Sequence, residues 1–521
     1  MIRLNSPVRW VSGLILAAAF ATSPALADTA AEHANKGITL YNERRYEAAV
    51  QEFEAARKLS PDDYRFSNWI GWIYLSQLKF NEARSPLERA IKLRPDSAEA
   101  HLNLGNVLDG LKLYPDAIRE FEIAGKLKPK SADAPYNLGS VYMKIRRTDL
   151  AISEYRKAAT LKPDDPYNWN GLGYACQSAA RYSEAMSAYE KAIKLSPATP
   201  DNTTFLYNYA VAALAAAGKA RTLPGNVSQA RVDACLVKAT AALEQAAKLK
   251  PNDYSIRETY AETLVESGKY AEAIPEFEKA AQISPRQYDP YYNLAVAQEK
   301  LGKYGAAAEA YKQATEFAPQ DNHTAQYRQG EMLYRQQLYD EAAKVFTAVT
   351  RADPNNLNAW LNLASCLRLK GDVEAETTVL EEAANKRAGD PAKLSRLRCA
   401  LAYRYYTRGS DVASPDLESL NKAAEQYNEA LKLVPNLPDA LNGLGLVALR
   451  TNKLDDAIRR FKQAITARPT FADAYNNLGV VYRTKGDLNT ARLNYVRALQ
   501  IDPGHKLAKE NLTNLDRRRP Q

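Results

Sequence analysis

Apolar and polar positions along the chain repeat on two scales. In short windows the apolar residues recur at helical spacing, as in Tyr136, Leu138, Gly139 and Tyr142 and then Ala151, Ile152, Tyr155 and Ala158. Steps of three and four residues keep one helix face apolar and leave the other to water. On the longer scale the pattern returns every 34 residues. Prolines mark that interval at Pro61, Pro95, Pro129, Pro163 and Pro197 and again at Pro251, Pro285 and Pro319. They come one residue late at Pro354 and resume at Pro435, Pro469 and Pro503 after an irregular stretch through Pro391. Proline has no N–H to continue a helix, so each of these residues is predicted to end one unit. A break such as Gly302-Lys303 divides the unit into two helices.

Fixed offsets from the prolines carry fixed residue types. Twelve residues before stands alanine, from Ala49, Ala83 and Ala117 through Ala491. Eight before stands a large side chain: Phe53, Leu87, Phe121, Tyr155, Tyr189 and their counterparts through Tyr495. Twenty-four before stands glycine or alanine, as in Gly37, Gly71, Gly105, Ala261, Ala295 and Gly479. Small residues let two helices approach, and the large one fills the space between them. A single hairpin of this kind has too little core to fold alone, so neighbours must stack.

On these residues the stretch 30–505 resembles the tetratricopeptide repeat family. The resemblance implies an all-α fold: a right-handed superhelical α-solenoid of about thirteen hairpins with a C-terminal capping helix, the first helices lining a concave face. It also implies proteins or extended peptides as partners. The domain plan is then a solenoid over 28–505 with insertions near 219–234 and 410–418, followed by a capping helix and basic tail over 506–521. In that last helix Leu507, Leu512 and Leu515 are expected to face inward.

Two residues before the small position of the first helix stand Asn35, Asn103, Asn137, Asn208, Asn293, Asn362 and Asn477. A carboxamide both donates and accepts, so it can pair with a peptide group whatever the side chains are. The slot is similar to the asparagine ladder in the repeats of O-linked N-acetylglucosamine transferases, which implies peptide binding by these seven residues. Local hydrogen bonding within the repeats is the alternative that the residues leave open. Tyr136, Tyr207, Tyr292 and Tyr327 precede the slot by one residue and are further candidate contacts, with core packing as the alternative.

Charge on the presumed inner face changes sign along the chain. Acidic residues such as Glu99, Asp109, Asp133, Glu258 and Glu266 dominate the first eight repeats. Arg328, Arg335, Arg368, Arg396, Arg450 and Arg483 outnumber Glu331, Asp439 and Asp473 in the rest. A partner segment of acidic character is therefore expected on the C-terminal repeats, unless these charges are only solvated helix faces.

Composition narrows the function class. The 521 residues are 46% apolar and 25% charged, enough to bury a large core. The net charge of +9 is spread thinly and gives no reason to expect nucleic acid. Residues 1–27 carry Arg3 and Arg9, an apolar stretch from Trp10 to Phe20, Pro24 and then Ala25-Leu26-Ala27. That order reads as a signal peptide cleaved near Ala27, the apolar run being too short to span a bilayer. The mature chain is expected in the periplasm or outside the cell with no stable membrane anchor. Cys176, Cys235, Cys366 and Cys399 lack metal-ligand or CxxC spacing and read as packing residues.

No segment is left over for a catalytic domain. His33, His101, His323 and His505 are scattered, and neither HExxH, GxSxG nor a phosphate-cradling glycine loop occurs. No catalytic residue, metal or cofactor is therefore expected. The expected function is a noncatalytic protein-protein interaction scaffold; the alternative is an accessory subunit of a cell-envelope machine such as exopolysaccharide synthesis or export.

Overall fold

The computed structural model describes residues 26–197, 199, 201–222, 226–385, 390–411 and 414–517. Residues 1–25, which hold most of the segment read as a signal peptide, and the tail from Arg518 onward lie outside the described residues. The chain divides into two compact units, Met1–Ser284 and Pro285–Gln521. All regular structure among the described residues is helical.

The first unit contains α1 (Leu26–Asn42), α2 (Tyr46–Leu59), α3 (Tyr64–Ser76), α4 (Phe80–Leu93), α5 (Ala98–Gly110), α6 (Tyr114–Leu127) and α7 (Asp133–Lys144). It continues with α8 (Thr148–Leu161), α9 (Pro166–Ser178), α10 (Tyr182–Leu195), α11 (Asn202–Ala220), α12 (Asn226–Leu249), α13 (Tyr254–Glu266) and α14 (Tyr270–Ile283). The second unit contains α15 (Tyr288–Lys300), α16 (Tyr304–Glu316), α17 (Thr324–Arg335), α18 (Tyr339–Ala352), α19 (Leu357–Lys370), α20 (Val373–Ala384) and α21 (Pro391–Gly409). It ends with α22 (Leu417–Leu433), α23 (Pro438–Arg450), α24 (Leu454–Ala467), α25 (Ala472–Thr484), α26 (Leu488–Ile501) and α27 (Lys506–Arg517). Odd-numbered helices up to α25 are the first (A) and even-numbered ones the second (B) of the hairpins, and α27 follows the last pair.

The small and large positions meet within each hairpin. A Cβ added to Gly37 would lie 2.8 Å from the Phe53 ring, and one on Gly105 would lie 2.5 Å from that of Phe121. Gly173 and Tyr189 (2.7 Å) and Gly445 and Phe461 (2.6 Å) repeat the relationship. The A helix thus presses its backbone onto the aromatic face of its B helix. The turn between them needs one residue in the left-handed region. Glycine fills it at Gly268, Gly302, Gly371 and Gly486, but Arg44, Leu78, Lys112, Arg146 and Ala180 take it with φ between 56° and 62°.

The ladder prolines stand just beyond the B helices, as predicted: α2 ends at Leu59 and α4 at Leu93, two residues before Pro61 and Pro95. Pro391 differs, because it opens α21 rather than closing α20. Several of these turns are also pinned from the following A helix. Trp169 Nε1 donates to the Pro163 carbonyl (2.8 Å), Arg257 Nε to Pro251 (3.0 Å) and Trp360 Nε1 to Pro354 (3.0 Å). His101 Nε2 lies 3.0 Å from the Pro95 carbonyl.

The insertion near 219–234 takes the form of a longer hairpin: α11 and α12 reach 19 and 24 residues and bury Ala217, Ala220, Val232 and Leu236 between them. Near 410–418, by contrast, α21 stops at Gly409 and α22 starts at Leu417. In the cap Leu515 and Ala508 are buried and Leu512 is half-buried, but Leu507 is 59% exposed. Ala508 and Leu515 are seven residues apart and share a face, whereas Leu507 is turned about 100° away from it.

Candidate functional site

Within each unit many successive A helices touch, as α3 does α5 and α19 does α21. Neighbouring B helices leave grooves in places, one of about 890 Å³ lying between α6 and α8 and lined by Phe121, Leu138 and Tyr142. Its rim mixes Glu122 and Glu154 with Lys126, Arg156 and Lys157, so no one charge type is selected there. The A-helix face carries the residues singled out from the sequence.

The asparagine slot ties neighbouring A helices together. Asn103 Nδ2 donates to Asn68 Oδ1 (3.0 Å) and Asn208 Nδ2 to Asn170 Oδ1 (3.1 Å). Asn477 Nδ2 donates to Asn442 Oδ1 (3.0 Å), and Asn362 Nδ2 to the Tyr327 hydroxyl (3.1 Å). Asn103 and Asn208 are 1% and 2% exposed, which removes both from the surface that a peptide can touch. Asn137 is buried as well, Asn293 is half-buried and Asn35 is exposed. The slot is thus divided, and four of its seven amide groups are spent on the preceding repeat. Tyr136 and Tyr207 are buried in the core.

Charges of the first unit are largely paired within it. Lys144 Nζ donates to both carboxylate oxygens of Asp109 (2.8 and 2.6 Å), Arg65 pairs with Asp63 (2.6 Å), and Arg221 with Glu266 (2.7 Å). The expected acidic inner face is therefore partly neutralised by its own lysine and arginines.

In the second unit the six arginines fall into two groups. Arg328, on α17, donates to Glu331 (3.0 Å) and lies 4.0 Å from Glu299 on α15. Arg335 is 3.8 Å from Glu299 and stands over the Tyr304 ring at 5.3 Å. Burial pulls the Arg328 guanidinium down, but its bond to Glu331 and the charges of Glu331 and Glu299 outweigh this and hold it above its ordinary range. Tyr327 is pushed up to about 12 by burial first and by Glu331 second.

No carboxylate lies within 4.0 Å of Arg368, Arg396, Arg450 or Arg483 among the described residues. Arg450 Nε donates to the Tyr406 hydroxyl on α21 at 3.4 Å and Arg483 to Asn511 Oδ1 on the capping helix α27 at 3.1 Å. Arg368 and Arg396 are exposed. Helices α19 and α21 carry Arg368, Lys370, Lys393, Arg396, Arg398, Arg404 and Arg408 without a single Asp or Glu. One charge pair there had no sequence signal: Glu376, 3% exposed on α20, faces Arg404 at 3.1 Å. Burial raises the Glu376 carboxyl, against the pull of Arg404 and Arg368.

All four cysteines are free, and burial pushes Cys366 up to about 11 and Cys399 to about 12, away from thiolate reactivity. No group of three or more His, Cys, Asp or Glu among the described residues is placed to hold a metal ion. No described helix is long and apolar enough to cross a membrane.

Family comparison agrees with the hairpin geometry. A model described as tetratricopeptide repeat matches residues 35–79, 110–166, 292–356, 327–391 and 443–506, together more than half of the chain. The chain belongs to the tetratricopeptide repeat family. A second model of the family, described as TPR repeat, matches 71–110, 261–302 and 416–452, and a third matches 166–199. No match to the chain is found among curated proteins.

Among solved structures this tetratricopeptide repeat chain is similar to the APC/C hetero-tetramer Cut9-Hcn1, at 14% identity over 94% of this chain and 97% of that one, with a TM-score of 0.34. It is similar to yeast Tom70 at 16% identity, covering 94% and 95%, with a TM-score of 0.32. MamA from Desulfovibrio magneticus RS-1 is similar to a third of it: 22% identity, 34% of this chain and 99% of that one, TM-score 0.32. Membership makes protein-protein interaction the function class of the chain, in a family that is typically noncatalytic.

Proposed function

We propose that the chain is an exported, noncatalytic scaffold that holds an extended acidic segment of a partner protein along the A helices of its second unit. The observation that carries this reading is the row Arg368, Arg396, Arg450 and Arg483 on α19, α21, α23 and α25, none of which has a carboxylate within 4.0 Å among the described residues. Guanidinium groups recognise carboxylates through paired N–H donors, and arginine rows on adjacent helices give several contacts to one strand. Each exposed ion pair contributes only about 0.2 to 1 kcal/mol, so affinity depends on engaging several helices together. Export is part of the proposal and rests on Arg3, Arg9, the Trp10 to Phe20 stretch and Ala25-Leu26-Ala27.

The test is titration of a fluorescent oligoglutamate peptide into the protein and into the Arg368→Glu, Arg450→Glu, Arg483→Glu triple variant. Saturable binding that the triple variant loses supports the reading. Equal binding by both proteins, or none by either, removes it. For export, N-terminal sequencing of the protein from a periplasmic fraction should begin near Asp28.

A further inference from the structure

We infer that Glu299 and Glu331 act as built-in substitutes for partner carboxylates on Arg328 and Arg335, and that they set the N-terminal end of the acidic-segment site at α19. This rests on the reading that α19 to α25 take such a segment, and it goes beyond it by separating six arginines of like charge into four that recognise the partner and two that are excluded.

The two carboxylates are fixed before any partner arrives. Glu299 accepts the Tyr311 hydroxyl at 3.0 Å, and Tyr311 is itself fully buried. Glu331 accepts the Tyr327 hydroxyl at 3.1 Å, and that hydroxyl in turn accepts Asn362 Nδ2 from α19 at 3.1 Å. Glu299 and Glu331 are only 15% and 25% exposed in their side chains, whereas Arg328 and Arg335 are 40% and 48% exposed. The acids are thus held by the hairpin cores and the guanidinium groups rest on them from outside.

A partner carboxylate reaching Arg328 or Arg335 would have to displace one of these acids. The displaced carboxylate would lose its guanidinium while still tied to a tyrosine hydroxyl of its own hairpin, and a half-buried charge without its counterion is costly. An incoming acid therefore exchanges one ion pair for another and leaves a charge behind. At Arg368, Arg450 and Arg483 no such exchange is needed. Asn362 connects the two regions: its donor helps to hold Tyr327, at the point where the self-paired stretch ends and the unpaired one begins.

The experiment is fluorescence anisotropy of a labelled twelve-residue oligoglutamate against full-length variants, with far-ultraviolet melting as a check on folding. Arg328→Gln with Arg335→Gln should leave the affinity within about twofold of the parent. Glu299→Gln with Glu331→Gln should raise it by roughly threefold or more, and adding Arg328→Ala and Arg335→Ala should abolish the gain. Should the Glu299 variant fail to fold, Glu331→Gln alone reads out Arg328. The inference is overturned if the Arg328 and Arg335 pair weakens binding as much as the Arg368, Arg450 and Arg483 triple does, or if neutralising the two acids changes nothing. A protein that binds no oligoglutamate in any of these forms sinks the acidic-segment reading itself, whereas the first two outcomes leave it standing.

Discussion

Gly105 and Phe121 are packed so closely that a Cβ on Gly105 would lie 2.5 Å from the phenylalanine ring, well inside van der Waals contact. The pair locks α5 onto α6, and its equivalents recur in most hairpins. Gly105→Ala should therefore destabilise the protein by about 1 to 3 kcal/mol, the usual cost of overpacking. Gly218, within α11, has no atom within 4 Å of an added Cβ, so Gly218→Ala should stabilise by about 0.5 to 1 kcal/mol. Urea unfolding of the two variants checks both signs, and a second change, Phe121→Leu, should recover part of the first loss.

The hairpin turns offer an independent check. Leu78 holds a left-handed conformation at φ 60° and is 60% exposed, so it pays backbone strain with little contact in return. Leu78→Gly should gain about 1 kcal/mol, while Gly268→Ala, at φ 73° in the equivalent turn, should lose a similar amount. Thermal melts of both variants against the parent measure this.

Glu376 gives the chain a pH dependence of known sign. Burial raises its carboxyl above the ordinary value of 4.5, so the folded state binds the proton more tightly than the unfolded state does. The stabilisation is fully present below the unfolded value and is lost as pH rises through the folded one. Glu376→Gln keeps the neutral shape and should flatten this part of the profile. Stability measured just below pH 4.5 and again at pH 7 should fall less in the variant than in the parent; an identical fall in both would show that Glu376 does not titrate differently on folding.

The Asn103 to Asn68 bond predicts a structural effect without a binding one. Asn103→Ala loses the inter-helix tie and should cost about 0.5 to 1.5 kcal/mol. Oligoglutamate binding to the second unit should be unchanged, since Asn103 belongs to the first. A drop in affinity at constant stability would return this asparagine to the binding surface.

Much of the fold was legible because it rests on residue types that recur at fixed offsets. The ladder prolines, the Gly37 to Gly479 series and the Phe53 to Tyr495 series each have one physical job, so the same residue type recurs wherever the job does. Other contacts were hidden for the opposite reason. His101, Trp169, Arg257 and Trp360 all reach the proline carbonyl six residues before them, yet share no side-chain chemistry that a pattern would reveal. Ion pairs such as Arg335 with Glu299 join residues on successive A helices, and sequence spacing gives the register but not which acid meets which base. That is why Arg328 and Arg335 look equivalent to Arg368 and Arg450 in the sequence, and why the asparagine slot leaves peptide binding and local hydrogen bonding both open although Asn103 and Asn208 are buried. The insertion near 219–234 is legible as a break in the 34-residue interval, but not its form, because its residues keep the helix propensity that lengthens α11 and α12.

The central claim, that an acidic partner segment lies on the A helices from α19 to α25, is tested most directly by photo-crosslinking. An oligoglutamate peptide carrying a benzophenone is irradiated with the full-length protein, and the attachment sites are mapped by mass spectrometry. The account predicts adducts on the A helices α19, α21, α23 and α25, close to Arg368, Arg396, Arg450 and Arg483, that are lost at high salt. Adducts concentrated on the B helices, or spread evenly over both units, would contradict it.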